Sequence, residues 1–341
     1  MEEDLDFLKR GLLSDIDAKI DFDDTEKIQE DTIELRKVVV KKKTTKPAKK
    51  VNKLLAYLGN VKRSGARNHK AWLLQSLLNE LRYPLDADGY FGQMTEEQVK
   101  IFQAANSLDP DGEVGPATWP KLIKQAQNKI YNSEISKEDY ENAAKELEVE
   151  VAVIKAITEV EAQGSGFVYN NHPKILFESH VFWKELRRRG VNPSRYRKAS
   201  DSDILNTTWN AGKAHYVGGV GEYARLQKAR WFECEIDKDK VIDAANASAS
   251  WGLFQIMGNN YDVCGCRTIS DFVELMCTSE SEQLMLFVKF IQKNNLDRFL
   301  KKEKQWDKFA EGYNGPSYKD NEYDERLREA YEKYKKEEEQ Q

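Results

Sequence analysis

The sequence is poor in the residues that mark secreted, metal-dependent and membrane-spanning proteins. Its 341 residues include only four cysteines, four histidines and eight prolines. No run of 18 or more apolar residues occurs, so we expect no membrane insertion. The N-terminus Met1-Glu-Glu-Asp-Leu-Asp6 lacks the basic and apolar regions of a signal peptide, so we expect no export by the usual route.

The few cysteines and histidines form no familiar cofactor motif. Cys264-Gly-Cys266 is neither a zinc pair nor a redox Cys-x-x-Cys, and we expect these thiols, with Cys234 and Cys277, to be reduced. No His-Glu-x-x-His occurs, so metal-dependent hydrolysis has little support. We therefore expect neither a metal nor another cofactor. The following histidines are interpreted as structural or surface residues: His69, His172, His180 and His215.

Charge is abundant and unevenly placed. Residues 1–35 carry thirteen acidic and four basic side chains, whereas residues 36–53 carry nine basic side chains and no acidic one. The basic run contains Pro47 and no aromatic residue, so we interpret it as a solvated linker rather than a nucleic-acid arm. The acidic block has leucines at the spacing of a short amphipathic helix. The sequence leaves open what that helix would bind. Residues 1–59 are thus a charged N-terminal extension and basic linker.

A short internal repeat follows. Asp86-Ala-Asp-Gly-Tyr-Phe-Gly-Gln-Met-Thr95 and Asp109-Pro-Asp-Gly-Glu-Val-Gly-Pro-Ala-Thr118 share the pattern Asp-x-Asp-Gly-x-x-Gly-x-x-Thr. The glycines favour tight turns, and Thr95 and Thr118 are predicted to cap the helices that follow. The apolar segments around these turns predict a small three-helix domain over residues 60–126. Beyond it, Ser136-Lys-Glu-Asp139 predicts a capping box at the start of a second domain.

The stretch from Val151 to Phe167 predicts a buried helix that ends at a carboxyl group. Its apolar residues recur at three- and four-residue steps, and Glu161 falls four residues after Ile157 on the same stripe. A carboxyl held against an apolar face keeps its proton closer to neutral pH, as a general acid must. The alternative is a core glutamate paired with an arginine or a backbone amide, and the helix alone leaves both open.

Several other segments contain candidate site residues or allow two interpretations. Ile175-Leu-Phe-Glu178 is an apolar run that ends in a second carboxylate. The basic run Lys184–Lys198 is a solvated helix face or a positive lip for an acidic polymer. The Gly- and Asn-rich segment 199–223 predicts a long loop or flap over substrate. The segments Ser248–Met257 and Glu311–Tyr318 are, taken singly, packing turns or sugar-binding turns.

Residues 60–126 resemble the peptidoglycan-binding domain that accompanies many cell-wall hydrolases. The resemblance rests on four motifs in order: Leu73-Leu-Gln-Ser-Leu-Leu-Asn79, Asp88-Gly-Tyr-Phe-Gly92, Phe102-Gln103 and Asp111-Gly-Glu-Val-Gly-Pro-Ala-Thr-Trp119. The chain departs at Arg82-Tyr-Pro-Leu-Asp86, where the family usually has a Gly-Tyr turn. This resemblance implies binding to bacterial peptidoglycan.

Residues 135–332 resemble the goose-type lysozyme and lytic transglycosylase superfamily, and more closely the N-acetylmuramidase domain of bacteriophage endolysins. Six motifs carry this resemblance: Val160-Glu-Ala-Gln-Gly-Ser-Gly-Phe167, Lys174-Ile-Leu-Phe-Glu-Ser-His180, Tyr223-Ala-Arg-Leu226, Ala249-Ser-Trp-Gly-Leu-Phe-Gln-Ile-Met-Gly258, Ser279-Glu-Ser-Glu-Gln-Leu284 and Gly312-Tyr-Asn-Gly-Pro316. By this resemblance Glu161 is the catalytic acid and Glu178 a second acidic residue facing the cleft. The family more often has Glu-Ser-Gly-Gly at the acid, so a hydroxyl near Glu161 is missing. The residues expected to hold the sugar are Trp251, Phe254, Gln255, Tyr313 and Asn314.

These observations predict a mainly α protein with a peptidoglycan-binding domain at 60–126 and a lysozyme-like catalytic domain at 135–335. It would cut the β-1,4 bond between N-acetylmuramic acid and N-acetylglucosamine for host lysis. We expect a monomer that binds peptidoglycan and no nucleic acid, made in the host cytoplasm and delivered by a holin or a virion. A lytic transglycosylase and a non-catalytic wall-binding or virion structural protein stay open as alternatives. Glu178 is expected to position water for an inverting reaction. The alternatives are a covalent nucleophile with retention, or a structural residue that pairs with one of the arginines that follow it, such as Arg188 or Arg189.

Overall fold

The computed structural model describes residues 52–130, 134–161, 164–315, 318–319 and 322–340. The predicted acidic helix and nearly all of the basic linker, within residues 1–51, lie outside the described residues. Fourteen α-helices and five short strands occur in the described part, so the prediction of a mainly α fold is confirmed. No helix in these ranges is both long and apolar enough to cross a membrane.

The first domain contains the three predicted helices and a short one before them. The helices are α1 (Lys53–Leu58), α2 (His69–Glu80), α3 (Gln93–Ala105) and α4 (Thr118–Gln127). A bridge between Val61 and Val114 ties the segment after α1 to the second turn. Their apolar faces meet in one core, because side chains at helical spacing from each helix are fully buried. That core includes Leu74, Leu77, Phe102, Trp119 and Leu122.

The two repeated turns are held by two buried glutamines in matching ways. Gln75 Nε2 donates to Asp88 Oδ1 (3.0 Å), the Tyr90 carbonyl (3.1 Å) and Thr95 Oγ1 (3.2 Å). Its Oε1 accepts from the Gly89 amide at 2.8 Å. Every hydrogen-bonding atom of this side chain is therefore engaged, as burial requires.

Gln103 repeats this network in the second turn. Its Nε2 donates to Asp111 Oδ1 (2.8 Å), the Glu113 carbonyl (2.8 Å) and Thr118 Oγ1 (3.3 Å), and its Oε1 accepts from the Gly112 amide (2.9 Å). The sequence repeat thus encodes a repeated hydrogen-bond network around a central glutamine.

The prediction that Thr95 and Thr118 cap helices is wrong. Helix α3 follows Gly92, and Thr95 is already its third residue, while Thr118 is the first residue of α4 after Ala117. Neither helix has a side-chain N-cap hydrogen bond. Both threonines are buried, and their hydroxyls accept from the glutamines instead. Satisfying a buried amide took precedence over capping an exposed helix end.

The second domain is built from ten helices and two small sheets. Helix α5 begins with the predicted capping box, in which Ser136 and Asp139 exchange hydrogen bonds at 3.2 and 2.8 Å. The helices are α5 (Lys137–Leu147), α6 (Val151–Glu161), α7 (Ser179–Arg188), α8 (Trp209–Lys213), α9 (Gly221–Arg230), α10 (Lys238–Ala247), α11 (Ile269–Thr278), α12 (Glu280–Lys293), α13 (Trp306–Asn314) and α14 (Tyr323–Glu339).

The strands lie between these helices. Strands β1 (Phe167–Tyr169) and β2 (His172–Pro173) form an antiparallel pair. Strand β3 (Ile175–Phe177) pairs with β4 (Ala249–Trp251), and β4 pairs with β5 (Ile256–Met257), all antiparallel. The order β3-β4-β5 therefore places the end of β3, just before Glu178, beside the start of β4.

Helix α6 lies inside the second domain, as its apolar stripe predicts. Val153, Ile154 and Ile157 have no exposed surface, and Val160 is buried. Helix α14 packs along α6, and α5 packs on another side. Burial by neighbours on several sides explains why this helix has so few polar residues.

The two domains are in contact through α9, which packs on α2. The Arg67 guanidinium lies 3.9 Å from the centre of a Trp231 ring, and the Tyr57 hydroxyl donates to Asp203 Oδ2 at 3.2 Å. These contacts join the first domain to the segment 199–231 of the second.

Candidate active site

Glu161 is the last residue of α6, and it keeps its proton at neutral pH. The residue as a whole is partly exposed, but its Oε1 atom is buried and has no hydrogen-bond partner among the described residues. Burial raises the pKa of this carboxyl to about 8, and the nearby Arg326 charge and Asn314 amide only partly oppose that rise. The balance favours the predicted protonated acid over an ion-paired core glutamate.

Asn314 lies beside Glu161 at the end of α13. Its side chain is 1% exposed, and it favours the ionised form of Glu161. Neither its Oδ1 nor its Nδ2 reaches strict hydrogen-bond geometry with a group in the described part of the chain. A buried amide with unused hydrogen-bonding capacity next to an acid is suited to contact a polar group of a substrate. Substrate contact by Asn314 stays a prediction.

The three aromatic rings predicted to hold the sugar are buried in the second domain. Trp251 and Phe254 are each 1% exposed, and Tyr313 is 3% exposed. Phe254 stacks on Phe287 with ring centres 4.3 Å apart, and the Tyr313 hydroxyl donates to the Phe254 carbonyl at 2.9 Å. The rings thus pack on the protein itself in this structure, and direct sugar contact by them stays a prediction.

Gln255 closes a tight turn between β4 and β5. Its backbone is left-handed, with φ of 48°, and its Nε2 donates to the Gly252 carbonyl at 2.7 Å. Its Oε1 accepts from Ser250 Oγ at 2.9 Å. The amide predicted to bind sugar is therefore engaged by its own turn, and its role towards substrate also stays a prediction.

Two side chains of α12 fix the turns around the acid. Glu280 Oε1 accepts from the Gly166 amide (2.5 Å) and from Ser165 Oγ (3.0 Å). Gln283 Oε1 accepts from the Leu253 amide at 2.7 Å, and a Cβ atom on Gly166 would lie only 2.5 Å from it. The sequence assigned neither residue a role, although both lie in the Ser279–Leu284 motif that carries the resemblance.

Glu178 is buried against Tyr216 and His180. It is 2% exposed, its Oε2 accepts from the Tyr216 hydroxyl at 2.5 Å, and it lies 3.3 Å from His180 Nδ1. The predicted loop 199–223 includes the short helix α8, and its part after α8 delivers Tyr216. Arg188 and Arg189, considered as partners of Glu178, pair with Glu185 at 2.6 and 2.5 Å.

A buried ion pair holds the backbone that leads to Glu178. Arg225 and Glu222 have no exposed side-chain surface and are 2.6 Å apart. Arg225 Nη1 donates to the Phe177 carbonyl at 3.0 Å, and Glu222 Oε2 accepts from the Phe177 amide at 3.2 Å. The Tyr223–Leu226 motif therefore fixes the end of β3, since each charge of the pair is also hydrogen-bonded to that strand.

The two carboxyls differ in their surroundings. Burial, the Arg326 charge and the Asn314 amide set the pKa of Glu161, whereas Glu178 lies against Tyr216 and His180. Within the described ranges, no group of three or more His, Cys, Asp or Glu side chains is placed to hold a metal ion. The site around Glu161 therefore offers one protonated carboxylic acid beside the Asn314 amide and the Arg326 guanidinium.

Comparison with known families covers both domains. The model of a putative peptidoglycan binding domain matches residues 73–122, and the N-acetylmuramidase model matches residues 150–335. Together with the buried acid, these matches define a peptidoglycan hydrolase with a wall-binding domain. The chain belongs to the N-acetylmuramidase family, as its motifs predicted.

One solved structure and one curated protein are similar to this chain. The crystal structure of the Burkholderia AP3 phage endolysin is 32% identical, matches 81% of this chain and 99% of that one, and superposes with a TM-score of 0.53. An uncharacterised protein in the bpoA1 3′ region of Kitasatospora aureofaciens is 51% identical over 51 residues. That match covers 15% of this chain and 43% of the Kitasatospora protein, so it spans less than half of that relative.

Proposed function

We propose that the protein is an endolysin that cuts the β-1,4 bond between N-acetylmuramic acid and N-acetylglucosamine with Glu161 as general acid. The observation that carries this proposal is the buried carboxyl at the end of α6, whose pKa of about 8 keeps it protonated at neutral pH. A glycosidic oxygen must receive a proton as its bond to the sugar breaks, and a raised carboxyl pKa supplies that proton without a cofactor.

In this mechanism Glu161 transfers its proton to the leaving oxygen while positive charge develops on the muramic acid ring. The resulting carboxylate then stabilises that charge, and Arg326 and Asn314 stabilise the carboxylate. Water adds to the opposite face of the sugar and gives its proton to Glu178, and proton exchange with solvent then returns each carboxyl to its starting state. The amide of Asn314 is proposed to orient the sugar beside the acid, because its polar atoms are buried and unsatisfied among the described residues.

Glu178 is proposed to position the attacking water, with inversion at the sugar. The support is its fixed carboxylate, which Tyr216 and the His180 ring hold on one side, and its rigid backbone. The remaining sugar contacts are proposed for Trp251, Phe254, Gln255 and Tyr313, which lie in β4, in the turn that follows β4, and in α13.

The proposed delivery and assembly follow from the proposed role. The enzyme acts as a monomer on peptidoglycan after a holin releases it or a virion carries it to the wall. The first domain keeps it on the polymer, which raises the local concentration of cleavable strands at the second domain.

Mass spectrometry of purified peptidoglycan digested by the protein tests this proposal. We expect fragments with reducing-end muramic acid and none from the Glu161→Gln variant. Fragments with an anhydro end would instead make the protein a lytic transglycosylase. The absence of fragments from the wild type would make it a binding protein.

A further inference from the structure

We propose that Arg326 is a positioning residue for Glu161, and that through it the C-terminal helix α14 is part of the active site. This inference rests on the proposed role of Glu161 as the acid. Arg326 lies 165 residues after Glu161 in the chain, and no motif of the sequence marked it.

The contact between Arg326 and α6 is specific to the end of that helix. Arg326 Nη2 donates to the Val160 carbonyl at 3.3 Å. The last carbonyls of a helix have no partner within the helix, so a donor from another helix satisfies one of them. Because Val160 directly precedes Glu161, this bond fixes the backbone that carries the acid.

The pairing of α14 with α6 sets the place of Arg326. Leu327 is fully buried and Ala330 nearly so, which gives α14 an apolar stripe towards the domain. Farther along, Lys333 Nζ pairs with Glu159 Oε2 at 2.7 Å, and the Tyr331 hydroxyl hydrogen-bonds Glu150. These contacts define the register of the two helices, so the first turn of α14 is held against the last turn of α6.

The charge of Arg326 opposes the burial that disfavours a carboxylate at position 161. In the described part of the chain, two neutral groups also lie beside the acid. They are the Asn314 amide and the Tyr313 phenol, whose burial raises its pKa well above the usual value. On α6 itself, Glu159 is paired with Lys333.

Arg326 therefore sets the strength of the acid. A carboxyl with a higher pKa would hold its proton to higher pH, but it would transfer that proton less readily in the transition state. Removal of the charge should thus do two things at once. It should extend the active range to higher pH, and it should lower kcat.

The test compares Arg326→Gln with Lys333→Gln in the full chain. Glutamine at 326 keeps a donor for the Val160 carbonyl and loses the charge, while Lys333 is a matched control that pairs on the same helix face with Glu159. For Arg326→Gln we expect the alkaline midpoint of the pH profile of kcat/KM to rise by about one unit, as for loss of one nearby opposite charge. We expect kcat to fall several-fold with KM nearly unchanged, and Lys333→Gln to keep the wild-type midpoint.

An unmoved midpoint in a folded Arg326→Gln variant would overturn the inference, as would an equal shift in Lys333→Gln. If Arg326→Gln does not fold, Arg326→Lys provides the test. Lysine retains the charge, so this variant should retain the wild-type midpoint. A shifted midpoint in Arg326→Lys would contradict the inference. Failure of the proposed function looks different. In that case Glu161→Gln remains active, whatever Arg326 does.

Discussion

The buried polar groups of the two repeated turns and those at the candidate active site differ in how many hydrogen bonds they make. In the wall-binding domain, Gln75 and Gln103 are buried and use all their hydrogen-bonding atoms on the two repeated turns. In the catalytic domain, the Glu161 Oε1 atom and the Asn314 amide are buried without such partners among the described residues. Full satisfaction stabilises a fold, whereas unsatisfied groups are destabilising and are retained where a reaction requires them.

The largest expected effect is on catalysis. Glu161→Gln should lower wall lysis by at least about a hundredfold, because general acid catalysis typically contributes that much or more. Glutamine has the same shape and cannot donate an acidic proton. Turbidity loss of a cell-wall suspension measures the effect, and sedimentation with peptidoglycan should be unchanged. Near-wild-type lysis by this variant would exclude Glu161 as the acid.

The same substitution should change how the free energy of unfolding depends on pH. Glu161 has a raised pKa in the folded state, so its favourable contribution is present below the unfolded pKa and is lost as pH rises towards 8. Relative to Glu161→Gln, the wild-type free energy of unfolding should fall by about 1.4 kcal/mol per pH unit between roughly pH 5 and pH 8. Urea unfolding at several pH values measures this slope. Parallel curves for the two proteins would show that Glu161 has an ordinary pKa.

In the wall-binding domain, removal of a buried polar side chain should lower stability. Gln75→Leu removes the centre of a satisfied network and leaves the Gly89 amide and Thr95 hydroxyl without their partner. We expect a loss of about 1–3 kcal/mol in the stability of this domain, as for unsatisfied buried groups. Cleavage of short soluble glycan strands should be retained. Gln103→Leu is the matched test in the second repeat and should behave alike.

The Glu178→Gln variant tests whether Glu178 acts in catalysis or has only a structural role. If Glu178 positions water, turnover should fall at least about tenfold with little change in melting temperature, since it then acts in general base catalysis. NMR of fresh product should show the α anomer. A stable and fully active variant would make Glu178 a scaffold residue, and a β product would contradict inversion.

Local patterns in the sequence predicted the parts of the fold that depend on local spacing. The stripe from Val153 to Val160 and the Ser136 capping box both occur as predicted. The threonine caps failed because a distant glutamine competes for the same hydroxyls. Which partner a threonine hydroxyl bonds depends on tertiary packing, and rules for helix caps consider only the local sequence.

The candidate site was predictable to the extent that motifs mark it. Glu161 and Asn314 were identified from the motifs, and the structure brings them together. Arg326 was missed, because a basic residue in a charged helix carries no local signal. For Trp251 and Phe254 the sequence left a packing turn and a sugar-binding turn open, since an aromatic residue has the same sequence pattern in a core and in a sugar site.

The central claim is that Glu161 stays protonated at neutral pH, and its carboxyl can be titrated directly. Carbon NMR of protein labelled at the glutamate side-chain carboxyls, compared with Glu161→Gln, identifies the resonance of this one group. We predict a midpoint near pH 8, because burial outweighs Arg326 and Asn314. A midpoint near the ordinary glutamate value of about 4.3 would contradict the account.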